Sequence, residues 1–481
     1  MNRAFPLLLL IACAPSVLDV RPAALPEPLG TPEFKLPAPA SRTLANGVPV
    51  VVAANHEVPL FEVRVLFRSG AYTDPTGKEG LTTVTLDMVN EGVTGMTAEE
   101  LSRASKRLGA VISSGADWDG AEIDASGITA NLDATLDLLA KVLLTPTFPQ
   151  ADWDVMRAKR VAAIKSEREN PTSIASRVMS SLLWDGTYRG RMTSEASLGA
   201  ITTDDMAAWR TANLIPGTAM ILVGGDVDAD EVVAKLDSRL ASWTATGAVP
   251  PAVPTPKLRP NTLYLVDKPG AAQSVVRVVT AGPTRKDADR YDMIVANLAF
   301  GGAFTSRLNL NLREAKGYTY GARCGFIDGF GPSFWWCGAS VATDVTAASL
   351  TEIKGEIEGA LGSKPFSADE VADNANGEIL GFPGQFELTG AILGERGSIW
   401  RYDLPQDQTE RYVPGLRSVS AESATRAFQQ HVRMDQLTWL VVGDAAKIGE
   451  SVKTLGLTVV TLDRDGKVLS PDLRSGFVGG Q

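Results

Sequence analysis

Ile221-Leu222-Val223-Gly224-Gly225-Asp226 and Leu440-Val441-Val442-Gly443-Asp444 repeat one pattern, an apolar, β-rich run stopped by glycine and aspartate. A helix start precedes each, at Ile201-Thr202-Thr203-Asp204-Asp205-Met206 and at Val419-Ser420-Ala421-Glu422-Ser423. Position 444 against position 226 is a spacing of 218 residues. That is too long for a solenoid unit and right for a duplicated α+β domain. Between the two copies, the proline-rich stretch 249–256 reads as a linker. In the first half, residues 44–52 read as a strand start with an Asn46-Gly47 turn, and 61–67 alternate like a half-buried strand. Residues 80–90 read as helix, and Thr97 to Glu100 form a capping-box pattern that opens another. Residues 111–114 and 121–128 pair as a hairpin, and 132–144 is helical. Beyond the linker the order restarts, with strands at 262–266 and 275–280 and a helix at 287–300. The expected fold is α+β, two homologous domains, each an antiparallel sheet with helices packed on one face.

The chain has 481 residues, 44% hydrophobic and 21% charged, as suits a folded multidomain protein. A net charge of -10 would repel a nucleic-acid backbone, so DNA and RNA are excluded as partners. With two histidines, His56 and His431, and three cysteines, neither a multi-histidine centre, a zinc ribbon nor a multi-bridge disulfide framework can be built. Each histidine lacks a spaced partner and reads as surface or structural. Residues 1–12 read as a secretory signal, with one arginine and an apolar run far below the ~20 residues that span a bilayer. Leu10-Ile11-Ala12-Cys13 resembles a bacterial lipobox, which makes Cys13 the candidate lipidation site; an ordinary secretion signal is the alternative. Ala14 after the cysteine favours the outer membrane. Residues 13–41 then form a Pro/Ala-rich tether, 42–245 the first domain, 246–260 the linker, 261–465 the second domain and 466–481 a tail.

Several motifs together carry a family resemblance. They are Phe67-Arg68-Ser69-Gly70-Ala71 before Gly80-Leu81, the Gly-Gly-Asp ending, and Ser306-Arg307-Leu308 followed by Leu312-Arg313-Glu314-Ala315-Lys316-Gly317-Tyr318-Thr319-Tyr320. On these, the chain resembles the insulinase/pitrilysin family of zinc peptidases over about residues 42–465. Active members carry His-x-x-Glu-His on the first helix, which sets two imidazoles on one face and a general base between them. Laid onto this sequence, the motif falls on Thr83, Leu86 and Asp87. The third ligand, counted back from Asn170-Pro171, falls at about Ala163, with Glu167 and Glu169 nearby. One carboxylate cannot stand for about three protein ligands, so no zinc is expected in this chain.

The resemblance implies a role for Arg313 and Tyr320, which match the arginine–tyrosine pair of the family's non-metal half. A guanidinium can grip a peptide carbonyl, and a phenol can donate to an oxyanion. The glycine-rich Phe300-Gly301-Gly302-Ala303-Phe304 lacks the Lys-Ser/Thr ending of a phosphate loop and reads as a helix break. Cys324 and Cys337 fall opposite each other when 321–338 is folded as a hairpin about 330/331, which predicts a disulfide in an oxidising compartment. No Gly-x-Ser-x-Gly elbow or Cys–His pairing supports a self-sufficient hydrolase. The expected function is the non-catalytic, substrate-binding subunit of a heteromeric zinc peptidase in the cell envelope. Its partners would be a zinc-bearing homologous chain and a peptide, with a membrane contact only through the lipid anchor. The alternative is a scaffold or peptide-binding lipoprotein with no part in hydrolysis.

Overall fold

In the computed structural model, residues 38–244, 247 and 255–469 are described. The signal, Cys13, most of the tether and linker, and the end of the tail lie outside them. Two six-stranded sheets carry the fold. The first half supplies β1 (Ala40–Thr43), β2 (Pro49–Ala54), β3 (Leu60–Phe67), β4 (Val111–Ala116), β5 (Ala121–Ile128) and β6 (Ala219–Gly225). The second supplies β7 (Thr262–Asp267), β8 (Gln273–Gly282), β9 (Thr319–Ile327), β10 (Ser333–Ala342), β11 (Thr438–Gly443) and β12 (Thr458–Leu462). The first sheet runs β1-β2-β6-β3-β5-β4 and the second β12-β7-β11-β8-β10-β9, so five strands correspond one to one. The outer strand differs: β1 enters before β2 and is antiparallel to it, whereas β12 comes last and is parallel to β7.

The duplication therefore holds, with two corrections. The sheets are mixed, not antiparallel: β2 runs parallel to β6, and β7 parallel to both β11 and β12. The partners of these parallel pairs lie far apart in the chain, with other strands and helices between them, since no tight hairpin can join a parallel pair. Helices also cover both sheet faces rather than one, and the second cover comes from the opposite half. Helix α4 (Pro171–Leu183), capped by Asn170, packs on the outer face of the second sheet, where Ile174, Val178 and Met179 meet Val266, Val275 and Leu440. Helix α5 (Thr389–Arg401) packs on the first sheet, with Leu393 against Val51, Leu66 and Leu222. A side chain on Gly224 would press on Thr389 Cγ2 and Leu393, and one on Gly397 would press on Leu66 and Leu222. The pattern explains the runs Ile221-Leu222-Val223 and Leu440-Val441-Val442, which are apolar at consecutive positions because both strand faces are covered.

Shorter readings are refined. The 44–52 strand start is a tight turn at Leu44–Gly47, closed by Gly47 N–H donating to Leu44 O, followed by β2. Thr97 and Glu100 form the capping box, β4 and β5 pair as a hairpin, and Leu132–Leu144 is α2. The last described residues remain attached, since Leu469 N–H donates to Thr461 O.

A buried ion pair ties the halves together. Arg189 lies 2.5 Å from Asp119, both side chains 9% exposed, and the pair grips the β9–β10 loop. Phe330 N–H donates to Asp119 (2.9 Å), and Arg189 donates to Phe330 O (3.2 Å).

Candidate functional site

Helix α1 (Leu81–Met88) starts at Gly80, whose φ of 100° suits glycine. Asp74, buried beneath it, accepts from Gly80 N–H, Thr82 N–H and Thr82 Oγ1 at 2.6–2.8 Å. Burial pushes the Asp74 carboxyl above its ordinary pKa, and these hydrogen bonds oppose the shift. The helix buries Leu81, Val84, Leu86 and Met88, leaving Thr83 and Asp87, one turn apart, on the partly exposed face.

A zinc site would need donors there, and the residues present do not fit one. Leu86 is fully buried in the core, and Ala163 is exposed on α3 (Gln150–Glu167). Asp87 is bound by Arg160 of α3, whose Nε donates at 2.7 Å and whose Nη2 donates to the same oxygen. A guanidinium thus bridges α1 and α3. The nearby carboxylates are engaged as well, Glu167 with Arg177 and Glu169 with Lys268 and Arg464. His56 lies 2.7 Å from Asp226 and His431 2.8 Å from Asp289, each beside a single carboxylate. Among the described residues no group of three or more His, Cys, Asp or Glu side chains is placed to hold a metal.

A cavity of about 480 Å³ opens beside Thr83, with Asp74, Trp118, Tyr188 and three arginines in its wall. Each arginine already has a carboxylate partner: Arg177 has Glu167, Arg189 has Asp119, and Arg191 has Glu79 at 3.6 Å. Sequence reasoning missed Arg160 and these pairs, since no local motif marks partners this far apart in the chain.

The second half is built differently. A helix at Arg290–Asn297 runs into a π-helical turn at Leu298–Gly302, and another π-helical stretch spans Leu310–Ala315. Gly301 is required because a Cβ there would lie 2.1 Å from Cys324 Sγ. Cys324 is paired in register with Cys337 and joined to it as a disulfide, Cα–Cα 4.0 Å. The glycines of 300–304 thus allow the helix to approach the hairpin closely, beyond the simple break read from sequence. Arg307 is a structural clamp, bound to Glu370 at 2.6 Å and to the carbonyls of Lys364 and Pro365. That guanidinium lowers the Glu370 carboxyl to about 2.

Arg313 lies over the Phe304 ring at 4.6 Å and 3.2 Å from Glu314, with its side chain 38% exposed. Tyr320 is 92% exposed, so it does not fill a strand face. The cause is a bulge at the start of β9: Thr319 pairs with Val341 and Ala322 with Ala339, so Tyr320 and Gly321 together oppose Ser340. Such an extra residue re-aims a side chain. The two turns are joined tightly, Tyr318 N–H donating to Leu312 O at 2.9 Å.

Comparison with known proteins gives this arrangement a setting. The peptidase M16 inactive domain matches residues 200–377. An uncharacterized zinc protease of Mycobacterium leprae is 24% identical over 197 residues, 40% of this chain and 44% of that protein, so the chain spans less than half of that relative. The non-peptidase homolog YmxG of Helicobacter pylori is 19% identical over 408 residues, 83% of this chain and 93% of that one. The fold is that of a crystal structure of a peptidase M16 inactive domain from Pseudomonas fluorescens, with TM-score 0.77 and 21% identity. The match covers 84% of this chain and 97% of that chain. Residues 200–377 are thus similar to the peptidase M16 inactive domain, and the zinc-ligand positions that the resemblance marks hold threonine, aspartate and alanine, with leucine at the general-base position.

Proposed function

We propose that this chain is the non-catalytic, peptide-contacting subunit of a heteromeric zinc peptidase of the cell envelope, anchored there through Cys13. One observation carries the reading, the asymmetry between the two site regions. The zinc-ligand positions hold a threonine, an ion-paired aspartate and an alanine, and the general-base position a core leucine, whereas Tyr320 stands exposed and Arg313 half-exposed on an aromatic platform. A chain that had merely decayed would have lost both regions without preference. The zinc and the attacking water would come from a homologous partner, and this chain would add a guanidinium and a phenol to the substrate peptide.

The test is to purify the native chain with whatever homologue accompanies it, then assay each alone and mixed. Peptide hydrolysis in the mixture and in neither component supports the proposal. About one zinc per chain with chelator-sensitive cleavage by this chain alone overturns it. The scaffold reading is favoured by the naming of the Helicobacter pylori relative as a non-peptidase homolog. Full activity of a mixture containing Arg313→Ala or Tyr320→Phe would bring that reading forward.

A further inference from the structure

Between Arg313 and the glycine-rich turn sits a polar side chain with no exposure at all, Asn309. Its Nδ2 donates to Phe304 O at 2.7 Å, and its Oδ1 accepts from Ala322 N–H at 3.0 Å. The first bond holds the residue whose ring carries Arg313. The second holds the first ladder residue after the bulge that turns Tyr320 outward. The Ala322 N–H would otherwise be a buried donor without this partner, which a folded chain rarely tolerates. The amide is the side chain suited to both, since it offers a donor and an acceptor from one planar group.

We propose that Asn309 is the positioning residue of the Arg313/Tyr320 element. It locks the 300–304 turn and the bulged start of β9 onto the helical stretch between them, so that both functional side chains are presented as one preset unit. The need follows from exposure. Tyr320 has almost no packing around its ring to fix it, so its direction is set by the backbone beneath. A transition-state donor has to be held to within about 0.5 Å. This role rests on the proposed function for its purpose but not for its geometry.

Two variants of the full chain separate the bonds. Asn309→Leu removes both, and Asn309→Asp keeps the acceptor for Ala322 while its carboxylate loses the donor to Phe304. Hydrogen exchange at Ala322 is measured with Val63 and Leu222 of the first sheet as references, and each variant is then assayed in the mixture with the zinc-bearing homologue. In Asn309→Leu, Ala322 exchange rises about tenfold or more with the reference amides unchanged. The kcat of the mixture falls about tenfold to a hundredfold, while association with the partner is kept. Asn309→Asp keeps slow exchange at Ala322 and loses less turnover. If Asn309→Leu fails to fold, Asn309→Asp decides alone: fast exchange at Ala322 overturns the proposal, and slow exchange with reduced turnover supports it. Unchanged exchange at Ala322 in a folded Asn309→Leu chain overturns it, as does accelerated exchange with full turnover. If the parent mixture is itself inactive, the proposed function fails, and the exchange result alone then stands for or against the positioning role.

Discussion

The α1–α3 region of the first half and the Arg313–Tyr320 region of the second are built differently. In the first, the polar groups face one another: Asp87 meets Arg160, Glu167 meets Arg177 and Asp119 meets Arg189. In the second, the pairing lies largely underneath, at Asn309 and Arg307, Arg313 meets only its neighbour Glu314, and Tyr320 is left turned to solvent. The cation between α1 and α3 is a guanidinium fixed to the chain.

Installing a His-x-x-Glu-His motif on α1 is the strongest way to break the comparison. The triple change Thr83→His, Leu86→Glu and Asp87→His is expected to bind no stoichiometric zinc and to lose about 3–5 kcal/mol of stability. It buries a carboxylate where Leu86 is fully enclosed and leaves Arg160 without its partner. Elemental analysis and denaturant unfolding check both outcomes; a stable zinc-loaded triple variant would show that the first region is poised rather than closed.

Next in size are paired substitutions on the two sides. Tyr320→Phe should lower kcat of the mixture with the zinc-bearing partner by about 10²-fold, the usual cost of one oxyanion donor. Arg313→Ala should add a rise in KM. Thr83→Ala should leave the same assay unchanged. Equal effects at positions 83 and 320 would erase the distinction.

The face of the first sheet beneath α5 should be sensitive to pH. Asp124 faces Arg64 across β3 and β5 on the sheet face beneath α5, and its buried Oδ1 lacks a hydrogen bond. Burial, reinforced by Glu122 and Glu62 and opposed by Arg64 and Arg401, pushes its carboxyl up to about 7. The raised value means the folded chain keeps this proton between about pH 4 and 7 while the unfolded chain releases it. The group's contribution to stability is therefore complete below about pH 4, falls as pH rises, and is lost above about 7. Asp124→Asn should be nearly neutral at pH 4 and stabilising by about 1–3 kcal/mol at pH 8, read from unfolding midpoints across pH. A gain of equal size at both pH values would remove Asp124 as the cause.

Smallest is the bridge itself. Arg160→Ala should cost about 1 kcal/mol or less, because the Arg160 and Asp87 side chains are 39% and 21% exposed, and added salt should shrink the loss. A salt-independent loss well above that would mean the bridge organises more of the region than its exposure suggests.

The division between sequence and structure follows distance along the chain. Period-2 and helical patterning, turn residues and caps act within a few positions, so the strands at 61–67 and 121–128, the helix at 132–144 and the opposition of Cys324 and Cys337 were legible directly. The sequence also held a signal for two-sided covering, in the unbroken apolar runs at 221–223 and 440–442, though it does not name the covering helix. Only the tertiary structure placed α4 on the second sheet and α5 on the first, joined Asp87 to Arg160 across 73 positions and Arg189 to Phe330 across 141. It alone turned Tyr320 outward on a bulge and set Asn309 beneath it. Such partners are chosen by how the chain reverses and closes, and no short-range pattern records that geometry.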